Sequence, residues 1–272
     1  MTMRILEILE HDGQSLRSHR LCLLGITGAG EPSFNGERRA LRLLAPGARA
    51  LEEKSAGFVL SESPVPTEGT LSVDDVLCGI GEADQHGTSA LSMIRGGFVS
   101  VSRRCAVLRP IRVGILTVSD KGSRGERDDR SGPALAREVP LFGGTVTERA
   151  TVPDDEEAIA RILERWCDEG RAELILTTGG TGFSPRDVTP EALERVGERK
   201  VPGIGEAMRR ASAAITPRAA LSRSNAVIRG KTLIIALPGS EKGAVECLTA
   251  VAPSLRHGIE ILCGWDGECG NG

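Results

Sequence analysis

The rhythm of apolar positions changes near Arg109-Pro110. Before it, apolar runs are short and broken by glycine and proline, as in LCLLGITGAG from Leu21, GFVLSESPVP from Gly57 and GGFVSVSRRCAVLRP from Gly96. Such runs predict short strands bounded by turns. Phe98, Val99 and Val101 fit one or two strands, and Leu71 to Cys78 fits another. One segment, Glu37 to Lys54 (ERRALRLLAPGARALEEK), predicts a helix broken at Pro46. Residues 1–108 are therefore expected to form a smaller α+β or mostly β domain.

After Pro110 the alternation of elements is clear. Ile111 to Val118 (IRVGILTV) is a nearly continuous apolar run, the pattern of a parallel strand buried on both faces. A polar loop follows, and Pro133 suits the first turn of a helix, where its missing N–H costs nothing. Thr145 to Val152 reads as a second strand. Ala158, Ile159, Ile162, Leu163, Trp166 and Cys167 then form one helical stripe, with Asp154 or Asp155 as its cap and Gly170 as its stop. Glu173 to Thr178 is a third strand, followed by the glycine-rich loop GGTGFSPRD and a helix from Pro190. Gly203 to Ile215 reads as a helix, and Ala226 to Ile228 and Thr232 to Leu237 as strands. A last helical region is expected to be divided or kinked at Pro253. This order predicts an α/β domain over 109–272, a mostly parallel sheet covered by helices.

Composition narrows the function. The chain of 272 residues has no tyrosine and 3% aromatic residues, so aliphatic side chains must fill its cores, and stacking platforms for nucleic acid are not expected. A formal net charge of -3 gives no electrostatic case for nucleic acid or a membrane surface. The opening MTMRILEILEHDGQ lacks the apolar core and cleavage site of a signal peptide, so a cytoplasmic setting is expected. Seven cysteines without a CxxC spacing argue against a disulfide framework or a zinc site, even for Cys263 and Cys269 near the glycine-rich end.

Three polar segments fall where parallel strands would end, the edge at which open α/β sheets bind ligands. They are Thr117-Val118-Ser119-Asp120, Thr177 to Asp187, and Pro238-Gly239-Ser240. Gly179, Gly180 and Gly182 let backbone approach an anion, and Thr178 and Thr181 add hydroxyls. The loop is not a P-loop, since GxxxxGK[ST] is absent, and a tight turn that merely needs glycine explains GGTG equally well. The earlier GITGAG (Gly25 to Gly30) has the wrong spacing for a dinucleotide loop. Asp154 and Asp187 follow two strands; they suit either helix capping or a divalent cation of phosphoryl chemistry. The mixed-charge run Lys121 to Arg130 reads as solvated surface, or as a flap reaching a phosphate. Ser222 and Arg223 are further candidate anion contacts. None of His11, His19, His86 and His257 stands in a nucleophile motif.

Read together, the segments GILTVSDKGSRGERDDRSGPAL, TVPDDEEAI, LILTTGGTGFSPRDVTPEAL, VPGIGEAMR, LSRSNAVIRGKTLIIALPGS and ECL resemble the molybdopterin adenylyltransferase family of the MogA/MoaB type, over residues 111 to about 265. The resemblance implies a doubly wound, mostly parallel α/β fold, commonly a homotrimer. It implies transfer of AMP from ATP to the terminal phosphate of molybdopterin, giving adenylylated molybdopterin and pyrophosphate, with Mg²⁺. Asp154 and Asp187 match the family's functional aspartates, as catalytic groups and metal ligands. Ser119, Asp120, Thr178, Gly179, Gly180, Thr181, Gly182, Thr189, Glu191, Ser222, Arg223, Pro238, Gly239 and Ser240 match or flank its ligand-binding segments. A downstream metal-insertion enzyme, for molybdenum or tungsten, is the implied partner. Glu241 departs from the pattern, since many relatives have proline after this triplet. Two readings compete: the nucleotidyltransferase, and a carrier or scaffold of the same fold that binds molybdopterin without turnover. In the first half, GTLSVDDVLCGIGE with IRGGFVSVSRR is similar to the end of a β-rich MOSC domain, whose cysteine would be Cys78 or Cys105.

Overall fold

The computed structural model describes residues 2–11, 14–27, 30–45, 51–52, 54–61, 63–73, 75–84, 87–101 and 104–265. The chain divides into two units, Met1–Pro110 and Ile111–Gly272.

Among its described residues the first unit builds every regular element as a strand: β1 (Thr2–His11), β2 (Leu16–His19), β3 (Leu21–Ile26), β4 (Pro32–Phe34), β5 (Glu37–Arg38), β6 (Ala40–Leu44), β7 (Ser55–Leu60), β8 (Gly69–Val73), β9 (Val76–Ala83), β10 (Ser89–Arg95), β11 (Gly97–Ser100) and β12 (Arg104–Leu108). The larger sheet runs β12-β8-β9-β10-β6-β7-β1-β2, and β12 also pairs with β1, which closes a barrel. Its pairs are antiparallel except β6 with β7. A smaller sheet runs β11-β3-β4-β5. The domain is thus mostly β.

The expected helix over Glu37 to Lys54 is not formed. Leu41 and Leu43 point into the core with Arg42 between them, a period of two. Pairing of β6 with both β7 and β10 outweighs the helix propensity of Ala, Leu and Arg. Residues 46–50 of that segment, with Pro46, lie outside the described residues. Cys78 and Cys105 are sealed in the barrel core, where Cys78 Sγ lies 3.4 Å from Met93 Sδ. Burial pushes the Cys78 thiol up to about 12. These are the surroundings of packing thiols.

The second unit contains β13 (Ile111–Val118), α1 (Asp120–Ser123), α2 (Ser131–Glu138), β14 (Gly144–Val152), α3 (Glu156–Asp168), β15 (Leu174–Thr178), α4 (Thr189–Val196), β16 (Arg199–Lys200), α5 (Pro202–Ala213), β17 (Ala226–Arg229), β18 (Thr232–Leu237) and α6 (Glu241–Cys263). Its sheet runs β14-β13-β15-β18-β17-β16. The first four strands are mutually parallel; β17 pairs antiparallel with β18, and the short β16 pairs antiparallel with β17. One face packs Val113, Ile115 and Ile235 against Leu135, Met208 and Leu248 of α2, α5 and α6. The other packs Leu116, Ile175 and Ile234 against Ile159, Leu163 and Trp166 of α3 and Leu193 of α4. The near-continuous apolar strands follow from this covering on both faces. The last helix is not divided: α6 continues through Pro253, whose apolar neighbours Val251 and Leu255 stay packed in the core. Cys263 is buried at its end, and Cys269 lies outside the described residues.

Candidate active site

Parallel strands deliver their loops to one edge. Val118 pairs with Val152, Thr117 with Thr178, and Thr178 with Leu237, so the carboxyl ends of β14, β13, β15 and β18 stand side by side. There, an open cleft of about 520 Å³ is lined by Thr117 to Ser119, Asp154, Thr178 to Gly180, Gly239 and Ser240, together with Arg127 to Ser131 and Glu241. All three polar segments singled out in the sequence reach it.

The glycine-rich loop is shaped by its surroundings. Gly179 has φ +106°, and a Cβ there would stand 2.2 Å from the Val118 carbonyl oxygen. Gly180 has φ +63°, and its Cβ would meet Thr189 Oγ1 at 2.4 Å and approach Asp154 Oδ1 at 3.4 Å. Only glycine fits either position without strain. Thr178 donates through Oγ1 to the Pro238 carbonyl at 2.7 Å, which fixes the loop after β15 to the loop after β18. Thr189, fully buried, donates to the Gly179 carbonyl at 2.8 Å and therefore braces the loop from behind.

Asp155 caps α3 by accepting from the Ala158 N–H at 2.9 Å, which leaves Asp154 for the cleft. Asp154 and Asp120 exchange hydrogen bonds. The Asp120 N–H donates to Asp154 Oδ2 at 2.8 Å, and the Asp154 N–H donates to Asp120 Oδ1 at 3.1 Å. Arg186 then grips Asp120: Nη2 lies 2.8 Å from each carboxylate oxygen and Nε 3.1 Å from Oδ2. Its hydrogen bonds hold the Asp120 carboxyl below the usual carboxylate range.

Asp187 takes a different position from Asp154. It is not among the cleft-lining residues; its Oδ2 accepts from the Ser184 N–H at 2.8 Å, and it lies against Gly182. Arg223 holds the same turn, donating from Nε to the Gly182 carbonyl at 2.7 Å, and also to the Asp187 carbonyl and to Glu191. Ser222 bonds Ser224 Oγ at 3.0 Å and lines, with Thr181, Gly182, Pro238 and Ser240, a neighbouring groove of about 590 Å³. Ser240 lies at both, capping α6 through the Gly243 N–H at 3.2 Å. Glu241 is the first residue of that helix and pairs with Arg137 at 3.5 Å.

Two members of the site are hidden in charged loops. Asp129 accepts from Thr117 Oγ1 at 2.7 Å, from Ser131 Oγ at 3.2 Å and from the Gly132 N–H at 2.9 Å, folding the flap onto β13 and the start of α2. Arg186 sits next to a residue the motif points to, yet its role depends on a partner 66 positions away.

Asp128, Asp129, Asp154 and Glu241 line the cleft. Asp129 is held by Thr117 and Gly132, and Glu241 pairs with Arg137, so Asp154 is the lining carboxylate best placed to hold Mg²⁺. Asp154 has Oδ1 towards Gly180, and Mg²⁺ ordinarily takes one or two carboxylates, with substrate phosphates and water completing its shell. Among the described residues no cluster of three acidic, His or Cys groups forms an all-protein cage. The cleft also meets the amino ends of α2 and α6, whose dipoles favour anions. A carboxylate beside two helix amino ends has the chemistry that suits an anion paired with a cation.

Residues 114–257 match the family described as "Probable molybdopterin binding domain". A molybdopterin adenylyltransferase of Helicobacter pylori is 40% identical over 159 residues, 58% of this chain and 90% of that protein. Its counterpart in Escherichia coli K12 is 40% identical over 158 residues, 56% of this chain and 81% of that protein. The crystal structure of the molybdopterin biosynthesis enzyme MoaB from Thermus thermophilus superposes with a TM-score of 0.55 at 49% identity, covering 57% of this chain and 97% of its own.

Proposed function

This chain belongs to the family of probable molybdopterin-binding domains, and on that premise we propose that its second unit is a molybdopterin adenylyltransferase using ATP and Mg²⁺. The convergence of four strand-end loops on one cleft, with Asp154 in its wall, carries this reading. In the reaction, a terminal phosphate oxygen of molybdopterin attacks the α-phosphorus of ATP. The new P–O bond forms as the bond to the β-phosphate breaks, and pyrophosphate leaves with the electron pair. Bound Mg²⁺ would supply positive charge against the charge that develops on the phosphates. Asp154 would hold it, with Asp187 acting from the adjoining turn. The backbone of Gly179, Gly180 and Gly239 comes close to the phosphates because no Cβ intervenes. The adjoining groove has room for the pterin half. Phe183, Ile215 and Leu221 around that groove are exposed and apolar, the kind of surface subunit contacts cover, in keeping with a homotrimer. Among the described residues no helix is long and apolar enough to cross a membrane.

The test is adenylylation of molybdopterin by the purified chain with ATP and Mg²⁺, beside Asp154→Asn and Asp187→Ala. Wild type is expected to release pyrophosphate and adenylylated product, and Asp154→Asn to lower kcat by about 10²–10³-fold, as removal of a transition-state charge stabiliser does. Tight molybdopterin binding without product in wild type would overturn the enzyme in favour of a carrier.

A further inference from the structure

Arg186 and Asp120 stand beside the cleft but not in its lining, whereas Asp154 is part of the wall. The three residues follow three different parallel strands: Asp120 opens α1 after β13, Asp154 lies in the loop after β14, and Arg186 in the loop after β15. Asp154 and Asp120 fix each other through paired backbone-to-carboxylate hydrogen bonds. Like charges on neighbouring loops repel each other, and both repel a polyphosphate. Arg186 covers both oxygens of Asp120, so the planar fork both offsets that charge and sets the carboxylate plane. With Asp120 held, its N–H stays on Asp154 Oδ2, and Oδ1 remains directed at the glycine-rich loop.

We infer that Arg186 is a positioning residue for nucleotidyl transfer: acting through Asp120, it holds the Asp154 carboxylate in the orientation that receives the phosphate-bound cation. The inference rests on the adenylyltransferase reading and adds to it a residue outside the cleft wall. Arg186 has no need to touch substrate, and its side chain remains largely exposed, so its loss spares the core. Outer residues that orient a metal-binding carboxylate commonly account for about 10- to 100-fold of affinity or rate.

Arg186→Gln, Arg186→Lys, Asp120→Asn and the double variant Asp120→Asn/Arg186→Gln are to be compared with wild type in the full chain. Two readouts are used: kcat and KM for adenylylation, and Mn²⁺ affinity by electron paramagnetic resonance in the presence of α,β-methylene-ATP. Arg186→Gln is expected to lower kcat about 10-fold or more and to weaken Mn²⁺ by a similar factor, with the KM for molybdopterin little changed. Arg186→Lys, which keeps the charge but not the fork, should recover part of both losses. Because Arg186 acts through Asp120, the double variant should lose no more than the worse single variant. Multiplying losses would overturn the inference and place Arg186 on the substrate itself. Unchanged Mn²⁺ affinity in Arg186→Gln would overturn it as well. Wild type without product would defeat the functional reading alone, and the Mn²⁺ measurement would still decide the positioning role.

Discussion

The barrel and the sheet of this chain draw on the same aliphatic side chains, but strand direction separates what they can do. In the barrel, neighbouring strands are mostly antiparallel, so successive loops alternate between its two ends. Its inward residues, among them Ile5, Leu43, Phe58, Leu60 and Leu71, fill the interior with packed core. In the second unit four neighbouring strands point the same way, and every loop at their carboxyl ends arrives at one edge. Residues from Thr117 to Glu241 meet there around a single cleft. Direction of the strands, more than composition, decides where chemistry assembles.

That contrast is broken first by disturbing the barrel alone. Phe58 is fully buried among barrel residues. Phe58→Ala is expected to cost about 3–5 kcal/mol in the stability of the first unit, through lost burial and the cavity left behind. If the units are separate cores, a calorimetric scan of the variant shows one transition moved down while the other, and adenylylation at room temperature, stay in place. A parallel loss of both transitions would show that barrel and sheet unfold together.

How far the sequence announces these two regions follows from the same contrast. Ile111 to Val118 and the stripe from Ala158 to Cys167 each carry a long periodic signal, so the parallel unit and the edge where its loops gather are readable from the sequence alone. The strands of the barrel are short, and β6 reads as helix because Ala-Leu-Arg-Leu-Leu suits a helix locally and a strand only beside β7 and β10. Within the cleft, Asp154 and the glycines stand out by motif. Asp129 in its lining and Arg186 beside it do not, because a charged loop residue looks solvated until another segment supplies its partner. The separation of Asp154 from Asp187 is equally hidden: both follow strands, yet one faces the cleft and the other closes its own turn.

A second perturbation acts on the cleft edge and leaves the barrel alone. Gly179→Ala forces a Cβ to 2.2 Å from the Val118 carbonyl at a φ of +106°. The strain is about 1–3 kcal/mol, and relief requires the loop to move. Because a misplacement near 1 Å costs about 10²-fold in rate, kcat should fall by roughly that factor, while the transition assigned to the barrel is unaltered. Retained activity would mean that the loop tolerates displacement and that close backbone approach is not needed.

The smallest expected effect concerns the buried thiols of the barrel and their response to alkali. Burial pushes both Cys22 and Cys78 up to about 12. In the unfolded chain a cysteine releases its proton near its ordinary value of 9.0, whereas the folded barrel keeps the proton until much higher pH. Above that value the unfolded state therefore binds fewer protons than the folded state, and stability falls as pH rises. The thiols contribute nothing to pH dependence well below the unfolded value; their cost grows through the window from 9.0 to about 12, reaching about 1 kcal/mol per thiol one unit above its start. Urea unfolding of the barrel transition, followed from neutral pH to the start of that window and then one unit into it, should change little over the first step and drop over the second. Cys22→Ala with Cys78→Ala should flatten the second step as well, although their smaller side chains lower stability at every pH. A barrel whose stability falls equally with and without the thiols would trace its alkaline response to groups other than these cysteines, and their burial would then matter for packing alone.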